Sequence, residues 1–162
     1  MNRITKFVVL DILRNRTVIA YTLLLAVLSW SAFGLEDNAT KGTLTILNII
    51  LLTVPLVSII FSTIYLYNSS EFIELLLSQP VQRNKIWFSL FAGLCLSLVP
   101  AFIVGTGIPV LLNAPGGTGF MMLAVGCIIT MVFIALACMS AIMARDKAKG
   151  IGISIMLWLF FA

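Results

Sequence analysis

The sequence predicts an all-α protein, a polytopic bundle of transmembrane helices, and three observations lead there. Hydrophobic residues fill 61% of the 162 positions and charged residues 10%, where soluble domains run at roughly 45–50% and 25%. Four stretches of nineteen or more residues carry no charged side chain, each long enough as a helix to cross a hydrocarbon core of roughly 30 Å. The bases sit between these stretches: nine of the ten fall in residues 1–16, 68–85 and 144–150, leaving only Lys41. The positive-inside rule then places those three segments, and the N-terminus, on the cytoplasmic side.

Taken in order, residues 1–16 interleave Arg3, Lys6, Arg14 and Arg16 with Ile4, Phe7, Val8 and Leu10, which predicts a helix at the inner membrane surface. Thr17 to Leu35 is the first span, with Tyr21 and Trp30 near its two ends, where amphipathic rings favour the interface. Thr43 to Tyr67 is the second, and Pro55 near its middle removes one helix hydrogen bond and is expected to kink it. Asn48, Pro55, Ser58, Ser62 and Tyr65 lie within roughly 100° on a wheel of 3.6 residues per turn. Such a polar stripe serves either to glue helices together or to line a polar path; Asn48, Ser58, Ser62 and Tyr65 are the pathway candidates.

Ile86 to Leu112 is the third span. Ser89, Gly93 and Ser97 recur every four residues as a ridge permitting close helix contact. Pro100, Gly105, Gly107 and Pro109 predict a kink or re-entrant shape in its second half. Residues 113–119 read as an uncharged turn, and Phe120 to Met143 as the fourth span. Its Cys127, Met131 and Cys138 fall within about 40° of one another, a face of soft ligands for copper or sulfur species or simply adaptable packing. After a basic loop at 144–150, the twelve residues from Ile151 to Ala162 rise only about 18 Å as a helix, so an incomplete fifth span is expected.

The composition excludes much chemistry. The chain has no histidine and no Asp, Glu, Lys or Arg in the four spans, which removes most zinc sites, His-based triads and the usual marks of ion-coupled transport. A Gly-x-x-x-x-Gly-Lys-Ser/Thr phosphate loop is absent. Cys95, Cys127 and Cys138 are odd in number and lie in apolar runs, as packing thiols do. An intramembrane enzyme therefore has no evident catalytic groups, no resident cofactor or metal is expected, and basic patches with interleaved aromatics for nucleic acid are missing.

The segment from Asn68 to Lys85 is the exception in this apolar chain. Asn68 with Glu71 makes a variant capping box, Glu71 and Glu74 suit the first turns of a helix, and Pro80 ends it near Gln79. Phe72, Leu75 and Leu76 share one face of that short water-phase helix, which needs a partner. Arg83 and Lys85 anchor the span that follows.

Glu74-Leu75-Leu76-Leu77-Ser78-Gln79-Pro80-Val81-Gln82-Arg83 resembles the run after the second span in ABC exporter permeases of the second class, where Glu-Leu-Leu-Leu-Ser-x-Pro-Val/Ile-x-Arg recurs. The preceding Ser69-Ser70-Glu71-Phe72-Ile73 departs from the common Glu-Arg-Gly-Thr-Leu. In that family the run belongs to a coupling helix seated in a groove of a separate cytoplasmic ATPase subunit. The resemblance thus implies that Glu71, Phe72, Glu74, Leu75, Leu76, Leu77, Pro80 and Arg83 couple to the ATPase, and that ATP is bound by the partner. Asp11-Ile12-Leu13-Arg14-Asn15-Arg16, Val54-Pro55-Leu56, and Arg145-Asp146-Lys147-Ala148-Lys149-Gly150 leading to Leu157-Trp158-Leu159 resemble the Nos-type branch, the nitrous-oxide-reductase maturation permeases. That likeness implies a six-span homodimer in a bacterial inner membrane, with an ATPase and a periplasmic accessory protein, supplying sulfur for a copper-sulfide centre. A generic exporter permease for drugs, lipids or sodium, and a non-transporting membrane assembly factor, are the alternatives.

Overall fold

The structure, a computed structural model, describes residues 10, 12, 16–35, 39–70, 83–113, 116–144 and 146–161. Among these no strand occurs. Helices α1 (Arg16–Leu35), α2 (Ala39–Asn68) and α3 (Arg83–Phe102) are followed by a π-helical turn (Ile103–Gly107). Then come α4 (Ile108–Asn113), α5 (Gly117–Met143) and α6 (Lys147–Phe161). Four stretches, Arg16–Leu35, Lys41–Asn68, Lys85–Asn113 and Gly117–Met143, are long and apolar enough to cross a membrane. They coincide with the four spans expected from sequence and fit a multi-pass membrane protein.

Helix α2 holds the bundle together, packing against α1, α5 and α6, while α3 packs on α5 and, with the π turn, on α1. One continuous apolar cluster runs through Leu25, Val54, Leu94, Phe102 and Ile134, and a smaller one joins Ile59, Phe133 and Ala137 to Trp158 of α6. Large apolar side chains such as Val27, Trp30, Phe88, Ile128 and Met156 point outward. In lipid that outward face costs nothing, so close packing and hydrogen bonds, rather than transfer from water, hold such helices together.

Helices start ahead of the expected spans, α3 at Arg83 rather than Ile86 among them. Helix α2 starts at Ala39 rather than Thr43, α5 at Gly117 rather than Phe120, and α6 at Lys147, inside the expected basic loop. Hydropathy marks where a chain enters hydrocarbon, whereas a helix can begin in the polar layer beyond it. Asp146 stands just ahead of α6, where an acid suits the exposed N–H groups, and its carboxylate pairs with Lys149 at 3.4 Å. Of the expected surface helix at residues 1–16, Leu10 and Ile12 are described, both helical, Leu10 exposed and Ile12 buried.

The break expected in the third span takes a specific form. The chain stays helical from Arg83 to Asn113 and passes straight through Pro100, so it is not re-entrant; instead it widens to a π turn at Ile103–Gly107. Pro109 lacks an N–H, and its ring would press on the carbonyl four residues back, that of Gly105. Widening the preceding turn relieves this within a continuous helix. Gly105 also sets how close the turn sits to α1: a Cβ there would lie 2.9 Å from Leu25 Cβ and 3.0 Å from the Thr22 carbonyl oxygen. Helix α2 likewise runs unbroken through Pro55.

Candidate functional site

Two polar constructions interrupt the apolar interior, and both occupy the end of the bundle where α2 finishes and α6 begins. The first is a knot of hydroxyls joining α2, α5 and α6. The Ser154 hydroxyl lies 2.8 Å from that of Thr63 on α2 and 2.8 Å from that of Ser140 on α5. It also donates to the Gly150 carbonyl at 2.9 Å. Thr63 and Ser140 can each turn instead to their own helix, to the carbonyls of Ile59 at 2.7 Å and Ala137 at 2.9 Å.

Each hydroxyl has one proton to give and two lone pairs. Three protons therefore serve five contacts, and only three bonds exist at a time. With Ser154 donating to Gly150, Thr63 and Ser140 either donate to Ser154 across the helix interfaces or fall back on their own helices. The number of bonds is the same in both states.

Nearer the end, the Tyr67 hydroxyl donates to the Ala144 carbonyl at 2.7 Å, which meets an acceptor left over by the end of α5. Lys147 Nζ donates to Asn68 Oδ1 at 2.8 Å. Asn68 is thus the last residue of α2 with its side chain engaged by α6; the helix it is expected to cap lies outside the described residues. Gly150 lies directly against the Tyr67 ring, and any Cβ at that position would overlap the ring and its hydroxyl. The end of α2 and the α5–α6 turn are therefore fastened together, which brings two of the basic segments to one end of the bundle.

The second construction is a seam of hydroxyls with no partner. Ser58 and Ser62 on α2, Ser89 on α3 and Tyr21 on α1 are all buried, at 0%, 0%, 1% and 5% exposure. None of their oxygens has a hydrogen-bond partner among the described residues. The Tyr21 hydroxyl is directed at Ser58 across the α1–α2 interface, yet the two do not reach hydrogen-bond geometry. An orphaned buried polar group costs about 1–3 kcal/mol, so four of them need an explanation. Other buried hydroxyls avoid that cost: Ser97, Thr106 and Thr130 each donate to the carbonyl four residues earlier at 2.8 Å.

Of the pathway residues expected from sequence, Ser58, Ser62 and Tyr65 are buried, Tyr65 with its ring stacked on Phe61. Asn48 is exposed and stands apart from them. The buried line of α2 runs Ile46, Ile50, Val54, Ser58, Ser62, and each four-residue step turns the buried face by about 40°. By the level of Asn48 the buried face has turned roughly 160° away from it. A flat wheel superimposes positions that a spiral seam separates.

The sulfur face of α5 does not bring its three residues to one point. Cys127 and Cys138 are about 16 Å apart along the helix axis, both half-buried, and Met131 points outward. Cys138 and Cys95 of α3 both pack at the edge of the main apolar cluster. Among the described residues no group of three His, Cys, Asp or Glu side chains is placed to hold a metal. Glu71, Phe72, Glu74, Leu75, Leu76, Leu77 and Pro80 lie outside the described residues, and Arg83 is the first residue of α3.

Sequence reasoning overlooked Thr63, Ser140, Ser154 and Tyr67 as polar partners and Tyr21 as a buried hydroxyl. Gly150 and Ser154, four residues apart at the start of an otherwise apolar helix, are the signal that pointed to the knot. A further orphan donor, Trp158 Nε1, lies beside a cavity of about 220 Å³ that Leu51 and Pro55 also line. Pro55 has no N–H to offer the Leu51 carbonyl. No protein-family model matches the chain, and no curated protein matches it either.

Proposed function

We propose that this chain is the membrane-spanning permease subunit of an ABC exporter, moved by a separate cytoplasmic ATPase and without catalytic groups of its own. Its place is the bacterial inner membrane, as a homodimer with a periplasmic accessory protein, and its cargo is a sulfur species for maturation of a nitrous-oxide-reductase copper centre. Residues 71–82 and Arg83 act as the coupling element, with Leu75 and Leu76 seated against the ATPase. The run from Glu74 to Arg83 supports the class, and the three shorter resemblances support the branch.

The observation that carries the mechanical part of the reading is the fastening of α2 to the α5–α6 turn by Tyr67, Asn68, Ala144 and Lys147. The coupling run begins immediately beyond this braced end. A push delivered there moves three helices, not one, which is what a subunit lacking charge in its spans requires of an outside energy source. The seam of Tyr21, Ser58, Ser62 and Ser89 is the polar part of the interior that such movement opens.

Leu75→Asp and Leu76→Asp are the direct test. Each is expected to abolish co-purification of the ATPase from native membranes while leaving membrane insertion intact. Unchanged co-purification with both variants overturns the coupling assignment. Loss of cargo export in Ser58→Ala/Ser62→Ala protein that inserts and dimerises normally is expected for a permease and not for a passive assembly factor.

A further inference from the structure

We infer that the buried hydroxyls of Tyr21, Ser58, Ser62 and Ser89 are hydrated, bonded to internal water that enters from the end of the bundle where α2 finishes. The inference rests on the permease reading for its purpose, as the inner portion of a path for small neutral hydrogen-bonding species, but not for its existence. Ser89 sits between Ile86 and Leu90 on the buried face of α3. Ser62 and Ser89 are each six residues from the nearer end of their helices, a depth of about 9 Å at 1.5 Å per residue. Ser58 is one turn deeper and has Tyr21 beside it.

The state of the hydroxyls selects the occupant. A serine in a helix satisfies itself cheaply by donating to a carbonyl of the preceding turn, as Ser97, Ser140 and Ser154 do here. Ser58, Ser62 and Ser89 are as deeply buried and do not. Their donors and their lone pairs are both unused, so the missing partner both gives and accepts protons. Water does this, commonly making about three bonds in such sites. A metal cation takes up lone pairs only and would leave the hydroxyl protons without acceptors. The described spans also contain no carboxylate to offset its charge.

The test uses the full chain in native membranes, with Cys95, Cys127 and Cys138 replaced by alanine and single cysteines introduced by Ser62→Cys, Ser89→Cys, Ser97→Cys or Leu96→Cys. The rate of modification by a small hydrophilic methanethiosulfonate is measured for each. The reaction needs a hydrated thiolate. Positions 62 and 89 are expected to react at least about tenfold faster than the self-bonded position 97 and the lipid-facing position 96; equal rates overturn the inference. Slowing by sodium or potassium chloride but not by choline chloride also overturns it, since the occupant is then a cation.

A second measurement keeps the native cysteines. Ser62→Ala and Ser89→Ala are each expected to raise the unfolding equilibrium constant about five- to tenfold, by removing a partner of bound water. A dry site predicts no change or a decrease, because the alanine removes an orphan. Neither readout involves the ATPase, so failure of the permease reading and failure of the hydration site show up in different experiments.

Discussion

Removing the Ser154 hydroxyl is the sharpest way to weigh the knot. Ser154→Ala deletes the centre of the cluster, where contacts to Thr63, Ser140 and Gly150 meet. Adding three bonds at the roughly 1 kcal/mol usual for a buried bond gives about 3 kcal/mol. Proton counting argues for less. Once Ser154 is gone, Thr63 and Ser140 retain their own-helix acceptors, Ile59 at 2.7 Å and Ala137 at 2.9 Å, so neither is orphaned. The Gly150 carbonyl loses only a supplementary donor.

The loss is therefore that of two inter-helix bonds already in competition with others. At about 0.6 kcal/mol for an inter-helix bond in a membrane protein, Ser154→Ala should cost roughly 1 kcal/mol. Equilibrium unfolding in mixed micelles at increasing dodecyl sulfate measures it, with a double-mutant cycle to isolate the pairs. The Thr63→Val/Ser154→Ala cycle should give a coupling of about 0.6 kcal/mol, and Thr63→Val/Ser140→Ala close to zero because those two hydroxyls meet only through Ser154. A loss above about 3 kcal/mol for Ser154→Ala alone would refute the reasoning, since it would mean that the two neighbours cannot fall back on their own helices.

Steric changes at the same end should cost more than polar ones. Gly150→Ala drives a methyl into the Tyr67 ring and should destabilise by about 1–3 kcal/mol, with partial rescue by Tyr67→Leu in the same unfolding assay. Tyr67→Phe removes only the bond to Ala144 and should cost about 1 kcal/mol. Lys147→Ala, whose bond to Asn68 is exposed, should shift stability by less than about 1 kcal/mol. At the other helix crossing, Gly105→Ala presses on Leu25 Cβ and the Thr22 carbonyl, and should cost about 1–3 kcal/mol. Disulfide trapping between cysteines placed at positions 22 and 105 should reveal whether the π turn has been lifted from α1.

The four spans were legible because a charge-free run of this length has few other fates, and hydropathy alone marks it. Legibility ended where the answer depends on a neighbour. Ser62 and Thr63 are adjacent and equally buried, yet Thr63 faces α6 and is bonded while Ser62 has no partner; nothing in the local sequence separates them. Asn48 shows the same limit, because the drift of the buried face along α2 follows from how α2 crosses its neighbours rather than from its own residues. The prolines were readable as trouble but not in kind: Pro109 lies beyond a π turn, whereas Pro55 and Pro100 sit in unbroken α-helix.

The placement of bonded and unbonded hydroxyls divides the bundle mechanically. Every inter-helix hydrogen bond named above links α2, α5 and α6, while the orphans line the side of α2 that faces α1 and α3. Apolar helix faces separate in lipid without the hydrophobic cost that holds soluble cores shut, so directional bonds decide which contacts persist when the bundle is pushed. The bonded group travels together. The face toward α1 and α3, where none of the inter-helix bonds described runs and the buried hydroxyls are hydrated as inferred above, is where separation breaks none of those bonds. Helices therefore part along that face at less cost than across the bonded group of α2, α5 and α6.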